Sequence, residues 1–356
     1  MDHALTLADV SIPRHLALMA GLAMFSAIIV RVMISIGVPD RPNARSAHTV
    51  VTPKSGGVGI VAAFLLGVLL LYRYGHVSRL SEGNFIGVIS AAALMAAVSF
   101  VDDLFDVSFL IKLAAQLVAA SVAVFAGLWV HVFLLPFIGP VDIGWFGIAL
   151  TLVFILFVTN AMNFIDGLNG LAAGVTLISC LFLAGIAAAY SGFFVYTAAL
   201  LLAGGVLGFL PFNFPNAKIF MGDVGSQFCG FMLAIFGIAA ARYGSEPLSF
   251  LLVPLLLSGV LFDVAFTLLR RLVAGENIAQ AHRGHLYQLA QRTGMDARLV
   301  AILHWCFASL GGLTAIAFLC AASIWRLPIL VLPFLVQCAW LWFVVTRARR
   351  ANLPHW

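Results

Sequence analysis

Long runs of apolar residues alternate along the chain with short polar segments. Eleven of these runs approach the length that a membrane-spanning helix needs, which is about 20 mostly apolar residues. The pattern therefore predicts an all-α polytopic bundle of about eleven transmembrane helices, in a single transmembrane domain of residues 1–356. The predicted spans are 16–38, 57–74, 85–101, 110–131, 143–162, 170–190, 193–212, 226–242, 248–269, 299–323 and 327–346.

Composition supports this interpretation. Hydrophobic residues make up 63% of the 356 positions and charged residues 9%, against about 45–50% and about 25% in soluble domains. Such a chain has too much apolar surface for a soluble globule and too little charge for a disordered segment. Lipid is the expected environment for most of it.

The basic residues are spread along the chain and favour one orientation in the membrane. Thirteen of the 19 Lys and Arg residues fall on one side when residues 39–56 are placed in the cytoplasm, and five fall on the other. The positive-inside rule favours this orientation, with a periplasmic N-terminus and a cytoplasmic C-terminus. Because the basic residues do not form the large basic patch that binding to nucleic acid needs, no nucleic-acid partner is expected. The predicted cytoplasmic loops, which carry most of the acids, are about 39–56, 102–110, 160–170, 213–226 and 270–298.

The first polar cluster ends the third predicted span. Asp102, Asp103 and Asp106 lie within five residues, and Lys112 follows at the start of the next span. Neighbouring carboxylates repel each other and are costly at a membrane boundary unless a cation or proton shares the site. The cluster indicates acid–base, metal or phosphate chemistry. The alternatives are a solvated helix cap and, for Lys112, a snorkelling side chain.

The second cluster follows the fifth span. Asn160, Asn163 and Asp166 are spaced to share one face of a helix, and Asn169 follows them. Their oxygens suit Mg²⁺ or the polar edges of a ribose and a uracil. The alternative is an Asn/Gly-rich turn between two spans.

The third cluster precedes the eighth span. Asp223 stands between two glycines in a turn that can aim its carboxylate at a metal. Gly225 and Ser226 begin the next span, whose free backbone N–H groups favour an anion such as pyrophosphate. Phe220 could stack on a base or anchor the loop in lipid.

The last large loop carries a basic cluster, His282, Arg283 and His285. These side chains could neutralise a leaving phosphate or hold anionic headgroups. Asp263, inside the ninth span, is expected to pair with a neighbouring helix, because an unpaired acid is costly there.

Taken in order, these motifs resemble the polyprenyl-phosphate N-acetylhexosamine-1-phosphate transferases, the superfamily of glycosyltransferase family 4. The sequence Ala281–Gln288 is most similar to that of the bacterial members that initiate O-antigen synthesis. The residues that carry the resemblance span nearly the whole chain. They are Asp40–Asn43 with Pro53–Gly57, Asp102, Asp103, Asp106 and Lys112, Asn160–Gly170, and Asn213–Ser226.

The resemblance implies a reaction at the cytoplasmic face of the bacterial inner membrane. Undecaprenyl phosphate attacks the β-phosphate of a UDP-HexNAc and releases UMP, as the first membrane step of O-antigen or other surface polysaccharide synthesis. The sugar is GlcNAc or a 6-deoxy-HexNAc such as FucNAc or QuiNAc. A second copy of the chain, in a homodimer, is a further partner that the resemblance allows.

The resemblance also implies roles for the clustered residues. Asp223 and Asn163 match the Mg²⁺ ligands, with Mn²⁺ as a substitute. Asp102 and Asp103 match the catalytic acidic pair, and Asp102 is expected to deprotonate the lipid phosphate or hold it in line. The substrate-binding residues expected are Lys112, Asn160, Asp166, Asn169, Phe220, His282, Arg283 and His285.

A transporter of a lipid or nucleotide sugar is the alternative function. A transporter is expected to place its polar groups near the middle of the membrane, in broken helices of two matching halves. Here, apart from Asp263, the acids and amides are predicted to gather at one membrane face, which favours the transferase.

Overall fold

The computed structural model describes residues 11–40, 51–74, 82–135, 139–190, 192–242, 248–277, 280 and 282–353. Within these ranges the chain forms helices and two short antiparallel strand pairs. The helices are α1 Ile12–Ile36, α2 Gly57–Tyr74, α3 Glu82–Phe105, α4 Phe109–Phe125, α5 Phe146–Ile165, α6 Leu171–Ala189, α7 Phe193–Asn213, α8 Gly222–Arg242, α9 Leu252–Leu256, α10 Ser258–Val273, α11 Leu286–Arg292, α12 Ala297–Cys320 and α13 Ser323–Arg350. The strands are β1 Pro39–Asp40, β2 Thr52–Pro53, β3 Val132–Leu135 and β4 Gly139–Asp142.

The helices confirm the all-α polytopic class. Eight helices in the described ranges are long and apolar enough to cross a membrane, and α2 and α4 are apolar but shorter. Each of the eleven predicted runs overlaps at least one of these or the pair α9 and α10. The chain is therefore a multi-pass membrane protein.

The ninth run is not the single helix that the sequence predicts over 248–269. It is divided into α9 and α10, with Leu257 between them outside helical geometry (φ −97°, ψ 16°). Pro254 and the pair Ser258–Gly259 flank this position. Proline and Gly/Ser pairs are common causes of sharp helix kinks, because proline lacks an N–H and glycine and serine weaken the helical preference.

The sequence analysis did not predict the β3–β4 strand pair or the short helix α11. The fourth span was expected to reach residue 131, but α4 ends at Phe125, and β3 pairs with β4 from Val132↔Asp142 to Leu135↔Gly139. The short helix α11 lies in the segment 270–298, which was expected to be a loop. Both elements are too short to show a periodic apolar pattern.

Helix α8 is the centre of the bundle. It is buried along almost its whole length and packs against α2, α3 and α5. Its first turn meets the first turn of α2, where Gly57 and Gly225 bring the two backbones together: a Cβ at Gly57 would overlap Gly225 Cα. Two hydrogen bonds reinforce the crossing, from Gly56 N to Phe220 O (2.9 Å) and from Gly57 N to Met221 O (2.8 Å).

We expect Gly57→Ala to destabilise the protein by about 1–3 kcal/mol, because the added methyl group must push two helix backbones apart. Thermal unfolding of the purified protein in detergent measures this effect. Gly185→Ala is the matched control, because a Cβ there meets nothing within 4 Å. This substitution also replaces a helical glycine, but with a better helix former and without a clash. Equal unfolding temperatures for wild type and Gly57→Ala would contradict the close backbone contact.

Candidate active site

Asp103 joins the end of α3 to the start of α8. Its Oδ1 accepts a hydrogen bond from Asp223 N at 2.9 Å, and its Oδ2 accepts one from Val224 N at 3.4 Å. The first N–H groups of a helix have no partner inside it, so a carboxylate there is stabilised by both the hydrogen bonds and the helix dipole. Gly222, at φ +73°, leaves room for this contact, since a Cβ there would collide with the Asp103 carboxylate. Asp103 therefore fixes the backbone that carries Asp223.

Lys112 bridges the two carboxylates that face each other across α3 and α8. Its Nζ lies 2.6 Å from Asp102 Oδ2 and 3.3 Å from Asp223 Oδ2. The ammonium group offsets a repulsion that would be severe in apolar surroundings. Asp102 is nearly inaccessible, with 3% of its side chain exposed, and its Oδ1 has no hydrogen-bond partner among the described residues. This buried oxygen can still accept a proton or a hydrogen bond.

Asn163, near the end of α5, completes the surroundings of Asp223. Its Nδ2 donates to Asp223 Oδ1 and to Ser226 Oγ, both at 3.0 Å. Both carboxylate oxygens of Asp223 are thus held by side chains from other elements. The three sequence clusters that contain Asp102, Asn163 and Asp223 meet in one place, although 121 positions separate the first from the last.

Asn163 and Asp223 stand at one wall of an open cavity of about 390 Å³. Its lining includes six residues that the sequence analysis assigned to the site: Asp103, Asn163, Asp166, Asn169, Phe220 and Asp223. Asp102 and Lys112 are not part of the lining and lie behind Asp223. The cavity is large enough for a nucleotide-sized ligand.

Asp166 and Asn169 lie in the turn between α5 and α6. Burial raises the pKa of the Asp166 carboxyl well above its usual range, and the Asp223 and Asp103 carboxylates raise it further. Asn169 Nδ2 donates to Pro215 O at 3.2 Å, which ties this turn to the one before α8. The wall of the cavity therefore contains a carboxyl group whose pKa is raised by burial and by two neighbouring carboxylates.

The lining also contains residues that were not among the predicted site residues, although the loop that carries Asp40 and Lys54 was expected to contact lipid phosphate or close the site. Asp40 and Lys54 come from the ends of β1 and β2, and Gln288 and Gln291 come from α11. The two glutamines are three positions apart and so share one face of the helix. That spacing is visible in the sequence, but a helix at this position was not predicted. Residues 41–50, which include Arg41–Asn43 of the proposed motif, lie outside the described residues.

The basic cluster of the last loop is arranged differently from the prediction. His285 is buried and its Nδ1 lies 3.2 Å from Asp263 Oδ1. Asp263 also accepts hydrogen bonds from Leu286 N (2.9 Å) and Tyr287 N (3.1 Å), so it holds the start of α11. Asp263 is thus paired, as expected, but with the loop helix rather than with a neighbouring span.

His282 and Arg283 lie beside this anchor, and neither they nor His285 line the cavity. The His282 ring stacks on His285 with centroids 4.8 Å apart. Burial, with His285 and the nearby arginines, lowers the pKa of His282 to about 4. Its ring is therefore neutral near pH 7 and brings no positive charge to a phosphate.

Asn160 is also placed away from the cavity. Its Nδ2 donates to Gln116 Oε1 at 2.6 Å and to Leu156 O at 2.8 Å. Gln116 in turn contacts Gln227, which reaches Asp223. The sequence analysis did not identify Gln116 or Gln227, because single glutamines within apolar helices form no motif.

The donor atoms present suit a hard cation. In the described part of the chain, no three His, Cys, Asp or Glu side chains converge as a metal-binding group. Mg²⁺ does not need such a group, because it keeps several waters and is often held by one or two carboxylates together with substrate phosphates. Asp223 and the amide oxygen of Asn163, beside the open cavity, meet that requirement.

Comparison with known proteins identifies the family. The family model "Glycosyl transferase family 4" matches residues 85–241. A Bacillus subtilis (strain 168) protein named "Probable undecaprenyl-phosphate N-acetylglucosaminyl 1-phosphate transferase" is 31% identical over 85% of this chain and 83% of its own length. The decaprenyl-phosphate N-acetylglucosaminephosphotransferase of Mycobacterium tuberculosis (strain ATCC 25618 / H37Rv) is 33% identical over 88% of this chain and 84% of its own length.

A third relative is more distant. The undecaprenyl-phosphate alpha-N-acetylglucosaminyl 1-phosphate transferase of Yersinia pestis is 28% identical over 77% of this chain and 74% of its own length. The matches cover most of each protein, so the similarity extends to the whole bundle and its polar end. The chain belongs to glycosyl transferase family 4, and it is a phospho-N-acetylhexosamine transferase of the polyprenyl-phosphate superfamily.

Proposed function

We propose that this protein transfers a HexNAc-1-phosphate from a UDP-sugar to undecaprenyl phosphate and releases UMP, at the cytoplasmic face of the bacterial inner membrane. The observation that carries the proposal is the convergence of Asp102, Lys112, Asn163 and Asp223 beside the cavity. The relatives named as transferases of N-acetylglucosaminyl 1-phosphate to polyprenyl phosphate support the substrate classes. A transporter has no evident use for paired carboxylates bridged by a lysine at one end of the bundle.

The reaction joins two anions, so charge repulsion is the main barrier that the site must lower. An oxygen of the lipid phosphate forms a bond to the β-phosphorus, and the bond from that phosphorus to the bridging oxygen of UMP breaks. The Lys112 ammonium lies 3.3 Å from Asp223 Oδ2, so it would add positive charge next to phosphates held at Asp223 and lower the repulsion between them. Asp102 holds Lys112 through Oδ2. We propose that it deprotonates the lipid phosphate or holds it in line once that group reaches the buried Oδ1.

The donor occupies the cavity in this proposal. Asp166, Asn169 and Phe220 lie on the wall that would receive the uridine, where their polar groups and the Phe220 ring would contact the ribose and the base. The sugar is GlcNAc or a 6-deoxy-HexNAc. The product would serve as the first lipid-linked intermediate of O-antigen or another surface polysaccharide.

We also propose that Mg²⁺ is the cofactor, held by Asp223 and Asn163. When bound, it neutralises phosphate charge and orients the diphosphate. In the structure Asn163 donates from Nδ2 to Asp223, so its Oδ1 must turn toward the cation for the amide to act as a ligand. Mn²⁺ has similar ligand preferences and is the expected substitute.

We expect Asp223→Asn and Asp102→Asn each to reduce UMP release at least a thousandfold, because each removes one of the two charges that position Lys112. The assay uses purified protein in nanodiscs with undecaprenyl phosphate and a UDP-HexNAc. Asp142→Asn is the matched control, since Asp142 is exposed on β4 and bonds only to Gly144 N in the described contacts. Near-normal turnover by either site variant, with normal folding, would contradict the assigned roles.

Removal of divalent cations with excess EDTA is expected to abolish turnover, and Mg²⁺ or Mn²⁺ to restore it. UMP release before and after dialysis into each metal measures this dependence. Undiminished activity in EDTA would show that the carboxylates act without a metal.

A panel of donors tests the substrate. UDP-GlcNAc, UDP-GalNAc, UDP-FucNAc and UDP-QuiNAc are offered separately with undecaprenyl phosphate, and mass spectrometry follows the lipid product. At least one donor is expected to yield both UMP and a lipid diphosphate sugar in equal amounts. Failure of every donor with a well-folded protein would refute the proposed reaction.

A further inference from the structure

A row of three side-chain amides, one half-buried and two buried, ends at Asp223. It consists of Asn160 on α5, Gln116 on α4 and Gln227 on α8. Gln116 and Gln227 are 2% and 3% exposed, and buried amides are stable only when their hydrogen bonds are made. We call these three residues the amide relay.

The amide relay has one direction. It starts at Leu156 O, a backbone carbonyl that can only accept, so Asn160 must present its NH₂ group there (2.8 Å). The same NH₂ donates to Gln116 Oε1 at 2.6 Å. Gln116 Nε2 donates back to Asn160 Oδ1 at 3.3 Å, and it also donates to Gln227 Oε1 at 3.0 Å.

The relay ends on the carboxylate. Gln227, with its oxygen already engaged, turns Nε2 toward Asp223 and donates to Oδ2 at 2.9 Å. Because each amide fixes the orientation of the next, neither Gln116 nor Gln227 can flip without losing a hydrogen bond. Hydrogen bonds in such a chain polarise each other and strengthen the final one, which ends on a charged acceptor.

We propose that Gln227, oriented by Gln116 and Asn160, is a positioning residue that holds the Asp223 carboxylate in its metal-binding orientation. Lys112 and Gln227 share Oδ2, whereas Asn163 holds Oδ1. Without Gln227, Lys112 alone would hold Oδ2, and the carboxylate would turn toward Lys112 about its remaining contact with Asn163. This inference rests on the proposed Mg²⁺ site, and it moves Asn160 from substrate binding to support of Asp223.

The test replaces each glutamine with methionine, which has similar length and no amide. Gln227→Met is expected to weaken Mn²⁺ binding about tenfold, the lower end of the effect seen for residues that orient metal ligands. Gln116→Met is expected to weaken it less, about threefold, because Gln227 can still reach Asp223 but is no longer fixed. Free Mn²⁺ is measured by EPR on the full-length, metal-free protein in nanodiscs without substrate.

Gln337→Met is the matched control. Gln337 is a buried glutamine on α13, is 1% exposed, and neither its nitrogen nor its oxygen has a partner among the described residues. Its replacement is expected to leave Mn²⁺ binding and turnover unchanged. The double variant Gln116→Met/Gln227→Met is expected to bind Mn²⁺ no more weakly than Gln227→Met, because both changes break one chain.

The outcomes separate this inference from the proposed function. Unchanged Mn²⁺ affinity in Gln227→Met, or additive effects in the double variant, would overturn the relay even if the wild type releases UMP. A lower unfolding temperature with wild-type Mn²⁺ affinity would show a purely structural role, and a wild type that binds no Mn²⁺ would also overturn the inference. Weaker binding in Gln227→Met supports the relay even if no tested donor is turned over.

Discussion

The bridge that Lys112 forms between Asp102 and Asp223 is the interaction on which the polar end of this protein depends. Three carboxylates from α3 and α8 meet at the end of an otherwise apolar bundle, where water screens them poorly. Lys112 lies between two of them at 2.6 and 3.3 Å, and the third is stabilised by the start of α8. The charges are thus compensated in the folded state. Asp223 still faces the open cavity, where it can bind a ligand.

The site is built almost entirely from helix ends. Asp103 ends α3, Lys112 begins α4, Asn163 lies in the last turn of α5, and Asp223 begins α8. Helix ends carry the backbone groups that have no internal partner, so charged and amide side chains gather there at little cost. The glycines at 57 and 225 allow two of these ends to touch, which keeps the loop before α8 against β2. The same few helix turns must therefore both pack closely together and carry the side chains of the site.

Most of the fold could be predicted from hydrophobicity alone, because a membrane span is a long uniform signal. Helix α11 could not, since it is too short for a periodic pattern and is held by contacts with Asp263. The break at Leu257 was missed because its local signals, Pro254 and Ser258–Gly259, lie inside a continuous apolar run. The same distinction applies to the site. Asp102, Asn163 and Asp223 stand in dense polar clusters that are conspicuous between apolar spans.

Gln116 and Gln227 stand alone in apolar sequence, and only the fold shows that they meet. His285 lies in a conspicuous basic motif, yet its partner is Asp263, 22 positions earlier and inside α10. His282, Arg283 and His285 were expected to contact the substrate. The residues of this segment that line the cavity are instead Gln288 and Gln291 on α11. A cluster of charged residues thus indicated the right region of the chain, while the fold decided which of its side chains face the ligand.

The attachment of α11 has a mechanical consequence. The helix is fastened at its start to Asp263 on α10, and Tyr287 fastens it to Phe164 O on α5 at 2.8 Å. Because this short helix is bonded to two separate spans, its position depends on the distance between α10 and α5. A movement of α10 against α5 would therefore shift Gln288 and Gln291 and change the width of the cavity that they line.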